Sequence, residues 1–253
     1  MQVHDLSFTG IQLPLGSEDE SIEYMEKISG DVKGDVVVLP ERFVLKSYDG
    51  FKESKMYTFL ENFSRGRLLI AGSVMEIVDG KSFNRSYVFN DTKLLGTQDK
   101  IIPFASEKGV ITGGRSISIF RSGSLTFSVA VCYDIDFPFF ARLSGMNGAD
   151  IIFNPSLIRQ DFHSEWHQYI RARALENRIS VISVNSITSG LGGDSIYAGT
   201  YQDGPGVRLN IQEASALKMF NVVHPTGLMA EKRKERMGED PSSYSFPVNE
   251  VRY

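Results

Sequence analysis

Three chemically reactive side chains lie at the ends of predicted strands: Glu41 after "VVVLP", Lys100 in "TQDKIIPF" and Cys132 after "TFSVAV". A cysteine attacks as its thiolate, so it needs a nearby base or cation in order to lose its proton. A carboxylate in a partly dry pocket can be that base, and an ammonium beside it can stabilise the oxyanion formed when a carbonyl is attacked. The three residue types therefore suffice for acyl transfer without a histidine.

Each of these residues alone also fits a plainer role. A free cysteine usually packs as a small hydrophobic residue, a glutamate can cap a helix, and a lysine can lie in solvent. The shared position at strand ends favours the chemical interpretation, because sites in layered α/β folds are built where strands leave the sheet.

The elements that must position these side chains follow from hydrophobic periodicity. Residues 17–29 predict an amphipathic helix in which Ser17 is the N-cap and Glu20 completes a capping box. Long apolar strands bracketed by helices indicate sheets that are covered on at least one face. Further helices are predicted near 52–64, 137–148 and 162–177. Strands are predicted at 2–13, 35–40, 67–78, 82–91, 94–102, 116–123, 125–132, 149–156 and 179–187, with turns at Asp79-Gly80, Asn90-Asp91 and Ser122-Gly123.

Composition narrows the class of protein. A chain of 253 residues with 42% hydrophobic residues and no linker or repeat predicts one globular domain. The single cysteine excludes an internal disulfide and predicts a reducing, cytoplasmic location. No apolar stretch approaches the roughly 20 residues of a membrane span, and a net charge of -4 argues against a nucleic-acid partner. The basic cluster at 231–236 is interpreted as a solvated face.

The motifs around these residues resemble those of the nitrilase superfamily, the carbon–nitrogen hydrolases, whose catalytic triad is Glu-Lys-Cys. The matching segments run in the family's order from about residue 2 to 210. They are "VVLPERF", "NRSYVFNDTKLLGTQDKIIPF", "VAVCYDIDFP", "GADIIFNPS", "WHQYIRARALENRISVISVN" and "GTYQDGPG". The resemblance assigns the triad to Glu41, Lys100 and Cys132, and it makes Glu107 in "SEKGVITGG" the family's second glutamate, which orients the lysine, the substrate or water.

Several further expectations come from the resemblance. The implied fold is a single-domain, four-layer α-β-β-α sandwich that forms a homodimer or higher homo-oligomer, with 211–253 as a C-terminal extension in the oligomer contacts. The backbone N–H of Tyr133 should bind the substrate oxyanion, and the loop "NPSLIRQ" should line the pocket, which adds Ser156 to the substrate-binding residues. Arg159 on this loop could anchor a substrate carboxylate, although a surface arginine is the preferred interpretation. No cofactor or metal is required.

Two positions depart from the common family pattern. Asp136 stands where an arginine is usual and Phe139 where a glutamate is usual, so the charges that support the nucleophile loop must be arranged differently. Cys-Tyr-Asp resembles the amidase and carbamoylase branches, whereas strict nitrilases more often have Cys-Trp-Glu. A small amide is therefore the expected substrate, with a nitrile or an N-carbamoyl amine as the alternative.

Two alternatives lie outside this class. His163 and His167 are four residues apart, which is suitable spacing for two metal ligands of a metallohydrolase on one helix face. No third ligand is evident from the sequence, and Trp166 and Tyr169 predict a helix that packs on the core. A non-catalytic scaffold is the other alternative, although no triad residue is missing.

Overall fold

A computed structural model describes residues 5–215, 219–225 and 229–238 of the chain. These residues form fourteen strands and five α-helices. The helices are α1 (Glu18–Ile28), α2 (Lys55–Phe63), α3 (Pro138–Met146), α4 (His163–Asn177) and α5 (Ala230–Gly238). The strands are β1 (Asp5–Ile11), β2 (Val36–Val38), β3 (Ser47–Asp49), β4 (Leu68–Ile70), β5 (Val74–Val78), β6 (Lys81–Asn90), β7 (Lys93–Asp99), β8 (Phe120–Ser122), β9 (Leu125–Val129), β10 (Ile151–Pro155), β11 (Ser180–Val184), β12 (Gly193–Asp203), β13 (Gly206–Ser215) and β14 (Met219–Pro225).

The strands form two sheets. The first has the order β14-β1-β2-β4-β6-β5-β3, and β7 pairs with β6 beside this path. The second has the order β13-β12-β11-β10-β9-β8. Strands β1, β2 and β4 are parallel to one another, as are β9, β10 and β11, so their carboxyl ends lie at common edges. The predicted α-β-β-α sandwich is confirmed.

The alternation of side chains along each strand separates two hydrophobic cores. In β2, Val36 and Val38 belong to the core between the sheets, whereas Val37 packs with α1 and α2 on the opposite face. Burial of each valine stabilises the fold by roughly 1.5–3 kcal/mol. Across the sandwich, Phe8 of the first sheet meets Phe153 of the second in an edge-to-face contact at 5.6 Å.

Helix α1 confirms the predicted N-terminus. The Ser17 side chain accepts the Glu20 N–H, and the Glu20 carboxylate accepts the Ser17 N–H, as in a capping box. None of the described helices is long and apolar enough to cross a membrane.

Some predicted strands were wrong in extent. The segment 67–78 is two strands, because Gly72 between them has φ +59° and a Cβ there would lie 2.0 Å from the carbonyl oxygen of Pro40. Only Phe120–Ser122 of the predicted 116–123 strand pairs with a neighbour. Strand β3 was not predicted, since it has three residues and its central side chain alone is buried.

The basic cluster at 231–236 is not wholly solvated, which corrects the sequence interpretation. Arg233 on α5 is buried, and its guanidinium lies 2.8 Å from the Asp150 carboxylate at the start of β10. Arg236 donates to the carbonyl of Glu176 at the end of α4. Two basic side chains of α5 therefore bind it to the residue before β10 and to the end of α4.

Candidate active site

Glu41, Lys100 and Cys132 lie where strands end. Glu41 is the third residue after β2, Lys100 follows β7 directly, and Cys132 lies just beyond β9 in a single 3-10 turn, Cys132–Asp136. Cys132 has φ +47°, a left-handed conformation that costs a non-glycine residue about 1–3 kcal/mol. The side-chain amide of Asn154 holds this elbow by donating to the carbonyls of Ala130 and Cys132 at 2.8 and 3.2 Å.

The buried cluster, as we call Glu41, Lys100 and Glu107, is a chain of opposite charges. The Lys100 ammonium lies 2.9 Å from Glu41 Oε1 and 2.7 Å from Glu107 Oε2, and all three residues are buried. Burial alone would lower the pKa of Lys100, but the negative charge around it prevails and raises that pKa. Lys100 therefore stays cationic across the neutral range, and it bridges two carboxylates that would otherwise repel each other.

Asn84 on β6 also contacts this cluster, and it was not among the site residues predicted from the sequence. Its amide donates to Glu41 Oε1 at 2.7 Å, the same oxygen that accepts from Lys100. Two donors on one oxygen fix the carboxylate plane and leave the second oxygen of Glu41 for another partner. The strand pattern places Asn84 on the inter-sheet face beside Val88, but only the fold brings it to a residue 43 positions away.

The Cys132 thiol lies against the buried cluster. It lies near enough to Glu41, Lys100 and the backbone N–H of Leu157 for all three to act on its pKa. Burial raises the pKa of the thiol well above its usual range, the charge of Glu41 adds to the rise, and the Lys100 ammonium opposes it. The resting group is thus a neutral thiol next to a proton acceptor, so a thiolate forms only as the proton moves.

The two residues predicted to bind substrate occupy different environments. Tyr133 is half-buried, and its ring packs edge-to-face on Phe104 and Phe137, each at 5.1 Å between centroids. Ser156 is completely buried, its hydroxyl bonds Asn154 Oδ1 at 2.8 Å, and its carbonyl accepts the N–H of Glu41 at 3.3 Å. Ser156 therefore touches the buried cluster through its backbone, whereas Tyr133 is partly exposed and packs on aromatic rings.

Asp134, inside the quoted Cys-Tyr-Asp motif, connects the loops that carry Lys100 and Cys132. Its fully buried carboxylate accepts the N–H groups of Ile101, Ile102 and Val131 at 2.8–3.3 Å. Burial raises its pKa to about 7 despite these bonds. No role was predicted for Asp134, because its donors lie up to 33 positions away.

The turn Cys132–Asp136 receives hydrogen bonds from a neighbouring helix. Arg173 on α4 donates to the carbonyls of Ile135 and Asp136, and it pairs with Glu176 at 3.2 Å. Burial raises the pKa of the Asp136 carboxyl to about 6, and Phe139 is partly exposed on α3. The cation that braces this turn thus comes from α4.

His163 and His167 lie on one face of α4 with their rings parallel at 6.5 Å. His163 Nδ1 is 3.1 Å from Asp194 Oδ2, and His167 Nε2 bonds the Asp194 carbonyl at 2.9 Å. Within residues 5–215, 219–225 and 229–238, no group of three or more histidine, cysteine or acidic side chains could hold a metal ion. The metallohydrolase alternative therefore lacks a ligand set in the described residues.

Comparison with known proteins assigns the family. Residues 20–204 match the carbon–nitrogen hydrolase family model, so the chain belongs to that family, within the nitrilase superfamily. The protein is a carbon–nitrogen hydrolase by this membership. A Staphylococcus aureus protein named a hydrolase in the agr operon is 28% identical over 197 residues, which cover 72% of this chain and 74% of the relative. The omega-amidase NIT3 of Saccharomyces cerevisiae is 30% identical over 190 residues, 64% of each chain.

Solved structures share the fold. Nit3 of Saccharomyces cerevisiae, described as a member of branch 10 of the superfamily, has a TM-score of 0.76 at 22% identity and covers 91% of this chain and 94% of its own. XC1258 of Xanthomonas campestris, a superfamily protein with an arsenic adduct in its active site, has a TM-score of 0.78 at 20% identity and covers 97% and 100%. At these identities the likeness shows the fold alone.

Proposed function

We propose that this protein hydrolyses the carbon–nitrogen bond of a small amide through a thioester on Cys132, releasing ammonia or an amine. The observation that carries the proposal is the buried cluster beside the thiol: Lys100 and Asn84 hold Oε1 of Glu41, and the charges of Glu41 and Lys100 both act on the pKa of Cys132. A nucleophile, a base and a fixed cation are thereby brought together in one dry site.

The first half of the reaction forms the thioester. Glu41 takes the thiol proton as the sulfur attacks the amide carbonyl, and the oxyanion is stabilised by the Lys100 ammonium and the backbone N–H of Tyr133. When the carbon–nitrogen bond breaks, protonated Glu41 gives its proton to the leaving nitrogen. Ammonia or an amine departs, and the acyl group stays on the sulfur.

The second half consumes one water molecule. Glu41 takes a proton from water, which attacks the thioester, and the same oxyanion contacts apply. The carbon–sulfur bond then breaks, and the proton on Glu41 returns to the sulfur, so the carboxylic acid product leaves the enzyme in its starting state. Glu107 keeps Lys100 in place at 2.7 Å throughout, and Ser156 supports Glu41 through its carbonyl.

An amide is favoured over the alternatives by two points. The Cys-Tyr-Asp sequence resembles amidase branches, and relatives from Saccharomyces cerevisiae and Xenopus tropicalis are named omega-amidases. A nitrile or an N-carbamoyl amine would use the same Glu-Lys-Cys triad, so both belong in the test.

The test is ammonia release from a panel of small amides, omega-amides, N-carbamoyl amino acids and nitriles, with Cys132→Ala as the matched control. We expect release from at least one amide, no release by the variant, and an acyl adduct on Cys132 in the intact mass of acid-quenched enzyme. Release that persists in Cys132→Ala would refute the thiol mechanism. A correctly folded wild-type protein that releases nothing from any compound would favour the scaffold alternative.

We further propose a homo-oligomer, a single domain over 1–253 and a cytoplasmic location. The oligomer is supported by exposed apolar side chains on the outer helices: Phe139, Leu143 and Met146 on α3 and Leu175 on α4. The contact role of 211–253 involves 216–218, 226–228 and 239–253, which lie outside the described residues. Sedimentation equilibrium tests the oligomer, and a monomer at micromolar concentration would refute it.

A further inference from the structure

Arg42, the residue after Glu41, has a fixed backbone. Its φ is +46°, in the left-handed region that few non-glycine residues adopt. Its backbone N–H donates to the Ser73 hydroxyl at 3.2 Å, and Ser73 is fully buried. Such conformations persist where the surroundings enforce them, often at functional sites. The chain therefore directs this side chain from a rigid base immediately beside the proposed general base.

The guanidinium of Arg42 is held loosely. Its nearest carboxylate oxygen is Glu107 Oε1 at 3.9 Å, and 39% of its side chain is exposed. Glu107 does not depend on this contact, because its other oxygen accepts from the Lys100 ammonium and from the Phe104 N–H, both at 2.7 Å. A partly exposed ion pair at this distance contributes little stability, so the guanidinium is available for another anion.

The charges of the buried cluster indicate which kind of anion would bind Arg42. The buried cluster carries two carboxylates and one ammonium, so it repels a negatively charged substrate unless a second cation is present. Arg42 is that cation: it is partly exposed and lies beside Glu107. Phe104, half exposed, and the ring of Tyr133 that it contacts form an apolar wall beside Glu107. An apolar wall next to one available guanidinium suits a short aliphatic chain that ends in an anion.

We propose that Arg42 binds a carboxylate carried by the substrate, so that the preferred substrates are amides with an anionic far end. This proposal rests on the amide hydrolysis proposed above. A guanidinium and a carboxylate can form two parallel charge-assisted hydrogen bonds, which fix orientation as well as affinity. The anion can lie on the acyl side, as in an omega-amide, or on the amine side, as in an N-carbamoyl amino acid.

Arg159 is the rival cation, and the structure disfavours it. Its side chain is 78% exposed, and its guanidinium already makes two bonds to Asp161, at 3.0 and 2.6 Å. The surface-arginine interpretation therefore fits Arg159. Arg159 also supplies a matched control, because Arg159→Gln removes the same chemical group from the loop that follows β10.

The experiment compares kcat/KM for substrate pairs that differ only in charge. Succinamate is paired with isocaproamide, in which an isopropyl group replaces the carboxylate, and N-carbamoyl-β-alanine is paired with isopentylurea. For Arg42→Gln we expect kcat/KM to fall about 10- to 100-fold on the preferred anionic substrate and to stay within about twofold on its neutral partner. Arg42→Lys should recover part of the loss, and Arg159→Gln should change neither ratio. Whichever pair shows the effect identifies the side that carries the anion.

The neutral partner also serves as the folding control, since a misfolded variant loses both activities. An equal loss on both members of a pair would overturn the assignment, because it would mean that Arg42 acts through Glu107. A charge-specific loss in Arg159→Gln instead of Arg42→Gln would overturn it as well. No turnover of any compound by the wild-type protein would remove the proposed function itself, and this inference with it.

Discussion

Two charge networks near β6 and β7 carry the same set of charges and differ in whether their hydrogen-bonding groups are all occupied. The buried cluster has two carboxylates and one ammonium on the inter-sheet face. The Arg85 network, on the opposite face of β6 and β7, has two carboxylates and one guanidinium: Glu76, Arg85 and Asp99. Arg85 and Asp99 are the chain neighbours of Asn84 and Lys100. Charge composition alone therefore does not distinguish a candidate active site from a structural ion network.

The difference lies in hydrogen-bond saturation. Arg85 makes two bonds to Asp99, at 2.6 and 3.1 Å, and one to Glu76 at 2.8 Å, and the Tyr87 hydroxyl occupies the same Glu76 oxygen. In the buried cluster the cation is a compact ammonium, and the Glu41 carboxylate lies close enough to the Cys132 thiol for its charge to raise the pKa of that thiol. A planar guanidinium saturates its partners, whereas an ammonium leaves room for a reacting group.

The largest effect on kcat should come from removing a carboxylate charge from the buried cluster, whereas the same change in the Arg85 network should have little effect on kcat. Glu41→Gln removes the proton acceptor, so we expect kcat to fall about 10³-fold or more, measured as ammonia release on the best amide. Glu76→Gln is the matched control, because it removes a buried carboxylate from the Arg85 network. It should lower stability and leave kcat within about threefold. A similar loss of kcat in both variants would contradict the functional distinction between the faces.

His224 differs from the groups in both networks, because it is a buried titratable group that is not paired with an opposite charge. His224 on β14 is buried, bonds the Tyr197 hydroxyl at 2.9 Å and stacks on Phe8. Burial lowers its pKa from 6.5 to about 4, with a further contribution from the positive charge of Arg233. Below pH 6.5, His224 binds a proton in the unfolded chain but stays neutral in the folded chain until the pH approaches 4. Stability from this group should therefore decline from pH 6.5 to about 4, by at most about 3 kcal/mol.

The measurement is the free energy of unfolding in urea at several pH values between 7.5 and 4. His224→Phe retains a ring next to Phe8 and removes the titration, so its stability should fall less steeply than that of the wild type in this window. Parallel pH profiles for the two proteins would refute the assignment. Carboxylates that titrate in the same range cancel in the comparison.

The sequence predicted that Glu41, Lys100 and Cys132 lie at strand ends, because that placement depends on local patterns, namely apolar runs that end at a turn. It also predicted the capping box of α1 from four adjacent residues. Asn84 and Asp134 escaped notice because their partners lie 43 and up to 33 positions away. Likewise, Gly72 breaks a strand through its contact with Pro40, and Arg233 is buried through a pair with Asp150, 83 positions distant. Features that depend on adjacent residues could therefore be predicted from the sequence, whereas contacts between residues far apart in the chain could not.

Asp134 tests whether the buried cluster must be aligned with the thiol by a fixed link. In Asp134→Asn, an amide N–H₂ replaces one of the oxygens that accept backbone N–H groups from both loops, so the loops should separate slightly. We expect kcat to fall about 10- to 100-fold with a smaller change in KM, because a small misplacement of reacting groups is costly. Asp150→Asn is the control: it breaks the pair with Arg233 and should cost stability without lowering kcat. Equal kcat in Asp134→Asn and the wild type would show that the link is dispensable.

The smallest effect should come from exchanging the cation of the Arg85 network. In Arg85→Lys, the single ammonium cannot reproduce two bonds to Asp99 and one to Glu76, although the charge remains. Arg85 is about one-fifth exposed, so water can replace part of what is lost, and we expect the free energy of unfolding to fall by about 1 kcal/mol. Ammonia release should be unchanged, since no atom of this network contacts the thiol. A fall in kcat comparable to that of Glu41→Gln would mean that β6 transmits changes from one face to the other, and that saturation on the outer face is itself a condition for reactivity on the inner one.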